Sequence, residues 1–233
     1  MKHKNLVFLG TSHIAKQSLE EVESSIKTEK PNIIAIELDK KRLAALMSKS
    51  ARKIEIGNIR RIGLKGFLFS LFGAWAEKKL GKLVGVAPGS EMKQAVKIAK
   101  KENIKLALVD QDIRITLQRL SKSITWKEKW NFLADIAKAL FAGKKEMEFD
   151  LTKVPDKNTI RKLTNKLKER YPNVHKVLIE ERNEVIANNI KNLMGSIHDK
   201  KILVILGAGH IDDVLEIIKN NDNPEIIFSF SVG

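Results

Sequence analysis

The sequence predicts an α/β fold: a central, mostly parallel or mixed sheet of about five strands, built from two β-α-β units at the chain ends, with a helical layer or cap inserted between them. Three observations carry that prediction. Short apolar, β-branched runs stand near both ends, helical periodicities follow them, and a long central stretch has no strand pattern.

Residues 6–9, 33–36, 106–109 and 202–206 read as buried strands, because each is a run of apolar residues closed by turn or charged residues. Residues 226–230 read as one more. Helical patterns lie at 18–28, 40–48, 91–101, 126–141, 158–170, 172–197 and 211–220. Only helices are expected between 113 and 198, so this part is read as an insertion over the sheet of a single domain spanning 1–233. The stretch 64–80 carries Phe67, Leu68, Phe69, Leu71, Phe72 and Trp75, dense enough to be apolar on more than one face. It is a core helix or a contact surface for a second copy in a homodimer, for a partner or for a membrane.

Composition removes several classes. A chain of 233 residues with 43% hydrophobic residues buries a full core without staples. With no cysteine, disulfides, a thiolate nucleophile and a Cys-type zinc site are excluded, and any metal must be held by His and carboxylates. The net charge of +15 raises nucleic acid as a partner, but the lysines are scattered through nearly every helix and no helix-turn-helix, RNP or zinc-finger pattern accompanies them. No nucleic-acid partner is therefore expected. The N-terminus runs straight into the first strand without a signal-peptide pattern, and the longest uncharged apolar stretch, 66–76, falls short of the roughly 20 residues that span a bilayer. The expected location is cytoplasmic, with peripheral contact at the membrane face left open and no transmembrane segment.

The two ends of the chain resemble each other. Leu9-Gly10-Thr11-Ser12-His13-Ile14 and Leu206-Gly207-Ala208-Gly209-His210-Ile211 are both a strand end followed by Gly-x-x-His-Ile. Each continues through a helical pattern to a proline, Pro31 or Pro224, and a second apolar run. The same β-α-β unit thus occurs twice, and pairing about a pseudo-twofold sets His13 facing His210 with Glu37 joining them. Independently of the repeat, ligands of open α/β sheets bind beyond the carboxyl ends of the strands, and His13, Glu37, Asp39, Asp110, Asp112 and His210 all fall there. A dinucleotide loop is not expected, because Asp212 stands where the third glycine of Gly-x-Gly-x-x-Gly is needed. His3, His175 and His198 read as surface residues.

In the helix after Pro172, Glu181 shares a stripe with Val174, Leu178 and Val185, and Arg182 shares the adjoining one with Ile179, Ile186, Ile190 and Leu193. Both charges are thereby directed toward the packed side, where each must be paired or liganded. Arg182 either makes a structural ion pair to the sheet or reaches the strand-end cluster to hold a substrate carboxylate or an oxyanion. Asp110 and Asp112 complete a metal shell or cap the helix that begins near Ile113.

These motifs, with Gly89-Ser90-Glu91-Met92, the run from Asp110 to Arg119, and Glu181-Arg182-Asn183, resemble the TraB/PrgY pheromone-shutdown family. That family is related to the TIKI proteins and more distantly to the erythromycin-esterase and ChaN-like fold. The resemblance covers almost the whole chain and implies a metal-dependent hydrolase acting on peptides. His13, His210 and Glu37 are then the implied ligands of a divalent metal (Mn, Co or Zn), with Glu37, Glu181, Arg182 and Arg119 the implied catalytic set. Gln111 stands where relatives usually have Arg, and Asn183 where they usually have Asp. Many relatives continue into a C-terminal membrane-spanning region that this sequence does not contain, which implies a soluble form or a piece of a longer protein.

Two mechanisms stay open at this stage. Two imidazoles and one carboxylate leave an open position on a metal that acidifies a bound water, or Glu37 is a general base without metal. The competing function is a non-catalytic regulatory or binding protein that sequesters a peptide, lipid or other small-molecule ligand in the same cleft.

Overall fold

The computed structural model describes residues 1–11, 16–48, 89–141, 157–197 and 200–220. The expected strand at 226–230, the apolar stretch 64–80, His13 and His198 lie outside the described residues.

Among the described residues five strands form one sheet: β1 (Lys2–His3), β2 (Leu6–Thr11), β3 (Ile33–Ile36), β4 (Lys105–Leu108) and β5 (Ile202–Gly207), in the order β1-β2-β5-β3-β4. The last four are parallel, and β1 pairs antiparallel with β2. The four main strands fall within one or two residues of the runs that predict them, because an all-apolar segment of this length is stable only with both faces covered. β1 was not expected; it is a two-residue polar edge with no hydrophobic signal.

Both Gly-x-x-His motifs follow neighbouring central strands. Leu6 pairs with Ile202 and Thr11 with Gly207, so Gly10-Thr11 of the first motif and Gly207 of the second end neighbouring strands at the same edge. Thr11 Oγ1 donates to Leu206 O at 3.2 Å, and Ala208 N donates to Thr11 O at 2.9 Å. A Cβ on Gly10 would stand 3.4 Å from Ala208 and Ile211, so the end of β2 packs directly against the turn after β5.

The helices after the two strands cover opposite faces. α1 (Lys16–Glu29) places Val22 and Ile26 against Ile34, Ile36, Leu203 and Ile205. On the other face α9 (Ile211–Asn220) sets Val214, Leu215 and Ile218 against Leu6, Phe8, Val204 and Leu206. This is the disposition a pseudo-twofold along the strands produces. α2 (Lys40–Met47) follows β3, and α3 (Ser90–Lys101) packs beside α1 through Met92, Ala95 and Ala99.

Between β4 and β5 the described residues are helical: α4 (Ile113–Ser123), α5 (Trp126–Phe141), α6 (Lys157–Arg170), the single turn α7 (Pro172–His175), a π-turn (Lys176–Glu180) and α8 (Glu181–Ser196). Ile186, Ala187 and Ile190 of α8 enter the core beside α9, and Asn189 Nδ2 donates to Val109 O at 2.9 Å, holding α8 over the end of β4. α4 packs on the π-turn through Leu120, Val174 and Val177. The expected helical layer thus includes one helix that is part of the sheet's own core. No helix of the described residues is long and apolar enough to cross a membrane.

Candidate functional site

Glu37 is the first residue beyond β3, and its position follows from the strand's length. Its side chain is 3% exposed, and each carboxylate oxygen has a donor: Gly207 N to Oε2 at 2.6 Å and Arg182 Nη2 to Oε1 at 2.5 Å. An ionised carboxylate only accepts, which suits it to two donors of which one is a cation.

Arg182 enters from α8. Nε donates to Asp110 Oδ1 at 3.1 Å, Nη2 to Asp110 Oδ2 at 2.6 Å as well as to Glu37, and Nη1 to Leu178 O at 3.2 Å. Nη1 also stands 3.4 Å from His210 Nε2. Four of the five guanidinium protons are bound to protein oxygen, and the fifth points weakly at His210. Arg182 therefore makes the ion pair between helix and sheet that one of its two sequence readings expects, and its guanidinium lies within the strand-end cluster.

Asp110 is fully buried at its carboxylate and is shared by Arg182 and Arg42. Burial pushes its carboxyl up, but the two guanidiniums outweigh burial and hold it below the ordinary carboxylate value. Asp110 and Asp39 raise Arg42, and Glu37 and Asp110 raise Arg182, each against the effect of burial. Arg42 donates Nε to Asp39 Oδ2 at 2.7 Å, while Asp39 Oδ1 caps α2 through Lys41 N and Arg42 N. Asp112 caps α4 by accepting from Arg114 N at 2.8 Å and pairs with Lys41 at 3.0 Å. Of the two roles open to it, capping is the one observed. Glu37, Asp39 and Asp110 face Arg42 and Arg182, so the described inner cluster carries one surplus negative charge when His210 is neutral.

His210 precedes α9, and its ring is 7% exposed. Nδ1 stands 2.6 Å from Asn183 Oδ1, and Nε2 stands 3.5 Å from Glu37 Oε1. The second separation suits two ligands sharing one divalent ion, given bonds of about 2.0–2.2 Å. Among the described residues no group of three His, Asp or Glu has metal-binding geometry, and the third expected ligand, His13, lies outside them. The guanidinium of Arg182 touches the same two atoms, so an ion there would share Glu37 with a cation.

Glu181 and Arg119 are placed elsewhere. They pair with each other at 3.0 and 2.6 Å, with Arg119 half exposed, and neither hydrogen-bonds to the inner cluster. His175, expected at the surface, is buried at 5% exposure, with Nδ1 3.2 Å from Glu180 Oε1. The π-turn accounts for the displacement of Glu181. Glu181 N bonds to Lys176 O, one residue further back than in an α-helix, and this extra residue rotates the helix. The inward set passes from Val174, His175 and Val177 to Arg182, Asn183 and Ile186, with Glu181 turned aside. A uniform 3.6-residue period cannot show that.

Sequence reasoning missed Asp213. It accepts from Asn183 Nδ2 at 3.0 Å, and with Asn183, Lys176, Glu180, Glu181 and Glu184 it lines a cleft of about 440 Å³ on the outer side of α8. Its only signal is its place three residues after His210, on the first turn of the helix.

The chain belongs to the TraB/PrgY/gumN family, whose model matches residues 2–222. It is 34% identical to an uncharacterized protein of Methanocaldococcus jannaschii over 94% of this chain and 54% of that protein. It is 21% identical to TraB domain-containing proteins of Mus musculus and Homo sapiens, over 75% of this chain and 48% of each of theirs. The chain thus spans about half the length of these curated relatives. Among solved structures it matches an erythromycin esterase mutant in its open conformation, with 16% identity, a TM-score of 0.33, and coverage of 88% of this chain and 60% of that one.

Proposed function

We propose that the chain is a hydrolase of carbonyl substrates, with peptides as the class implied by the family resemblance, and that its chemistry centres on His210, Glu37 and Arg182. One observation carries the reading: a buried imidazole nitrogen 3.5 Å from a buried carboxylate, with an arginine forked across both.

The neutral imidazole takes a proton from water at Nε2 as the water oxygen bonds to the substrate carbonyl carbon. Glu37 Oε1 beside it stabilises the imidazolium that forms, a charge present in the transition state and absent before it. Arg182 Nη1, whose contact with His210 is long, turns to the carbonyl oxygen as negative charge develops there. The imidazolium then returns its proton to the leaving nitrogen or oxygen as the bond to carbon breaks. A divalent ion (Mn, Co or Zn), when bound, would be held by His210 and Glu37 with His13, and would supply acidification of the attacking water.

The test is turnover of a panel of peptides and esters by purified protein. His210→Ala and Glu37→Gln are each expected to lower kcat by about 10²–10⁴-fold; unchanged kcat in His210→Ala on every substrate found overturns the reading. One feature favours the second function, a binding or regulatory protein: both oxygens of Glu37 and four donors of Arg182 are already satisfied within the protein. That reading predicts no turnover, and affinity for a peptide or lipid that survives His210→Ala.

A further inference from the structure

We infer that Asp213, through Asn183, fixes the tautomer of His210 and is a positioning residue of the site. The inference rests on the proposed function only for the purpose of the tautomer; the hydrogen bonds that set it do not.

Asp213 is a carboxylate with acceptors only, so the group that Asn183 presents to it at 3.0 Å must be the amide NH₂. An amide has one oxygen and one nitrogen, and the nitrogen is committed to Asp213. The oxygen is therefore directed at His210 Nδ1, 2.6 Å away. An oxygen without a proton can only accept, so Nδ1 must carry hydrogen. In the neutral ring Nε2 is then the lone pair, and it faces Glu37 Oε1 and Arg182 Nη1. Free histidine prefers the opposite tautomer, with hydrogen on Nε2. Against Arg182 that form would oppose one donor to another. Asn183 is 2% exposed and cannot rotate its amide without losing both bonds, whereas Asp213 is exposed on the first turn of α9.

The residue at 183 cannot pass a proton onward, so the role is orientation and not relay. Basic Nε2 is needed whether it takes a proton from water or ligates a metal, and partners at this remove typically change activity or metal affinity by about 10–100-fold.

The experiment is two-bond ¹H–¹⁵N correlation spectroscopy of the histidine rings at pH 8 in the full chain, with His210 assigned by its absence in His210→Ala. Wild type is expected to show a single neutral ring with hydrogen on Nδ1. Asp213→Asn keeps an acceptor oxygen and retains that tautomer. Asp213→Ala frees the amide and shifts the ratio toward the Nε2–H form by at least about fivefold, the scale of one neutral hydrogen bond. Asp213→Lys offers a donor, turns the amide over and inverts the tautomer. These substitutions are on the surface, and thermal midpoints close to wild type confirm that each variant is folded. An Nε2–H ring or an imidazolium in wild type, or an unmoved ratio in both Asp213→Ala and Asp213→Lys, overturns the inference. If the tautomer moves as stated while no substrate or metal is found, the positioning role stands and the hydrolase reading fails.

Discussion

Glu37 Oε2 accepts a hydrogen bond from Gly207 N at 2.6 Å, which ties the end of one strand to the first residue of the second Gly-x-x-His turn. The carboxylate is thus a strut as well as a site residue, and its part as a strut is read from stability. Glu37→Gln keeps the shape but offers an NH₂ that must face either Gly207 N–H or Arg182, a donor against a donor. It also leaves Arg182 with one buried counter-charge fewer. Breaking a buried pair costs about 3–5 kcal/mol, so the urea midpoint of Glu37→Gln should fall well below that of wild type. A midpoint within error of wild type would show that neither bond is formed.

Asp110 predicts how stability responds to acid. Its folded carboxyl is held below the ordinary value of 3.8 by Arg182 and Arg42, against burial. A depressed carboxyl contributes stability that is complete above the unfolded value and is lost as pH falls toward the folded one. Asp110→Asn should therefore be destabilised at pH 7 and lose less than wild type between about pH 4 and pH 2. Parallel stability-versus-pH curves for the two proteins would contradict the assignment of Asp110 as an ionised partner.

Arg119 and Glu181 give the opposite expectation. Their pair is solvent-exposed, and such pairs contribute little because water and salt already solvate both partners. Arg119→Ala and Glu181→Ala should leave the urea midpoint close to wild type and leave kcat of any substrate found unchanged. A large kcat loss in either, with wild-type stability, would return this pair to the catalytic set that the family resemblance implies.

What was legible in the sequence follows from how each feature is encoded. β3 and β5 declare themselves because a strand buried on both faces must be apolar throughout, while β2 and the edge strand β4, only partly buried, are legible from the shorter apolar runs they contain. Glu37, Asp110 and His210 were legible because each lies within three residues of the end of a legible strand. Arg182 was legible because a charge stood on an apolar stripe. The twist that separates Glu181 from it was not, since a π-turn arises from tertiary packing and has no residue signature here. His175 was misplaced because its burial comes from tertiary packing between Val174 and Val177, which meet Leu120 of α4. Asp213 was invisible because an exposed acid on a first helical turn is ordinary, and only its distance to Asn183 distinguishes it.

Arg182 also decides how the site would take a metal. An ion held by His210 Nε2 and Glu37 Oε1 would meet a guanidinium 2.5 Å from the shared oxygen and 3.4 Å from the nitrogen. Two unit charges 4 Å apart interact by about 4 kcal/mol at an effective dielectric of 20, so this neighbour opposes binding strongly. Removing it has two coupled effects. Arg182→Met leaves Glu37 and Asp110 buried without their main cation, so the variant unfolds at lower temperature than wild type. The same change opens Glu37 to a metal, which should bind at least about tenfold more tightly than to wild type and restore part of the lost thermal stability by mass action. Calorimetric titration of chelator-stripped wild type, Arg182→Met and Arg182→Met/His210→Ala with Mn²⁺, Co²⁺ and Zn²⁺, with thermal midpoints at each metal concentration, reads both. Rescue by metal in Arg182→Met that disappears in the double variant assigns the ion to His210 and Glu37. Rescue that survives the double variant places the ion elsewhere, and equal affinity in wild type and Arg182→Met would mean that the guanidinium and the ion do not compete for Glu37.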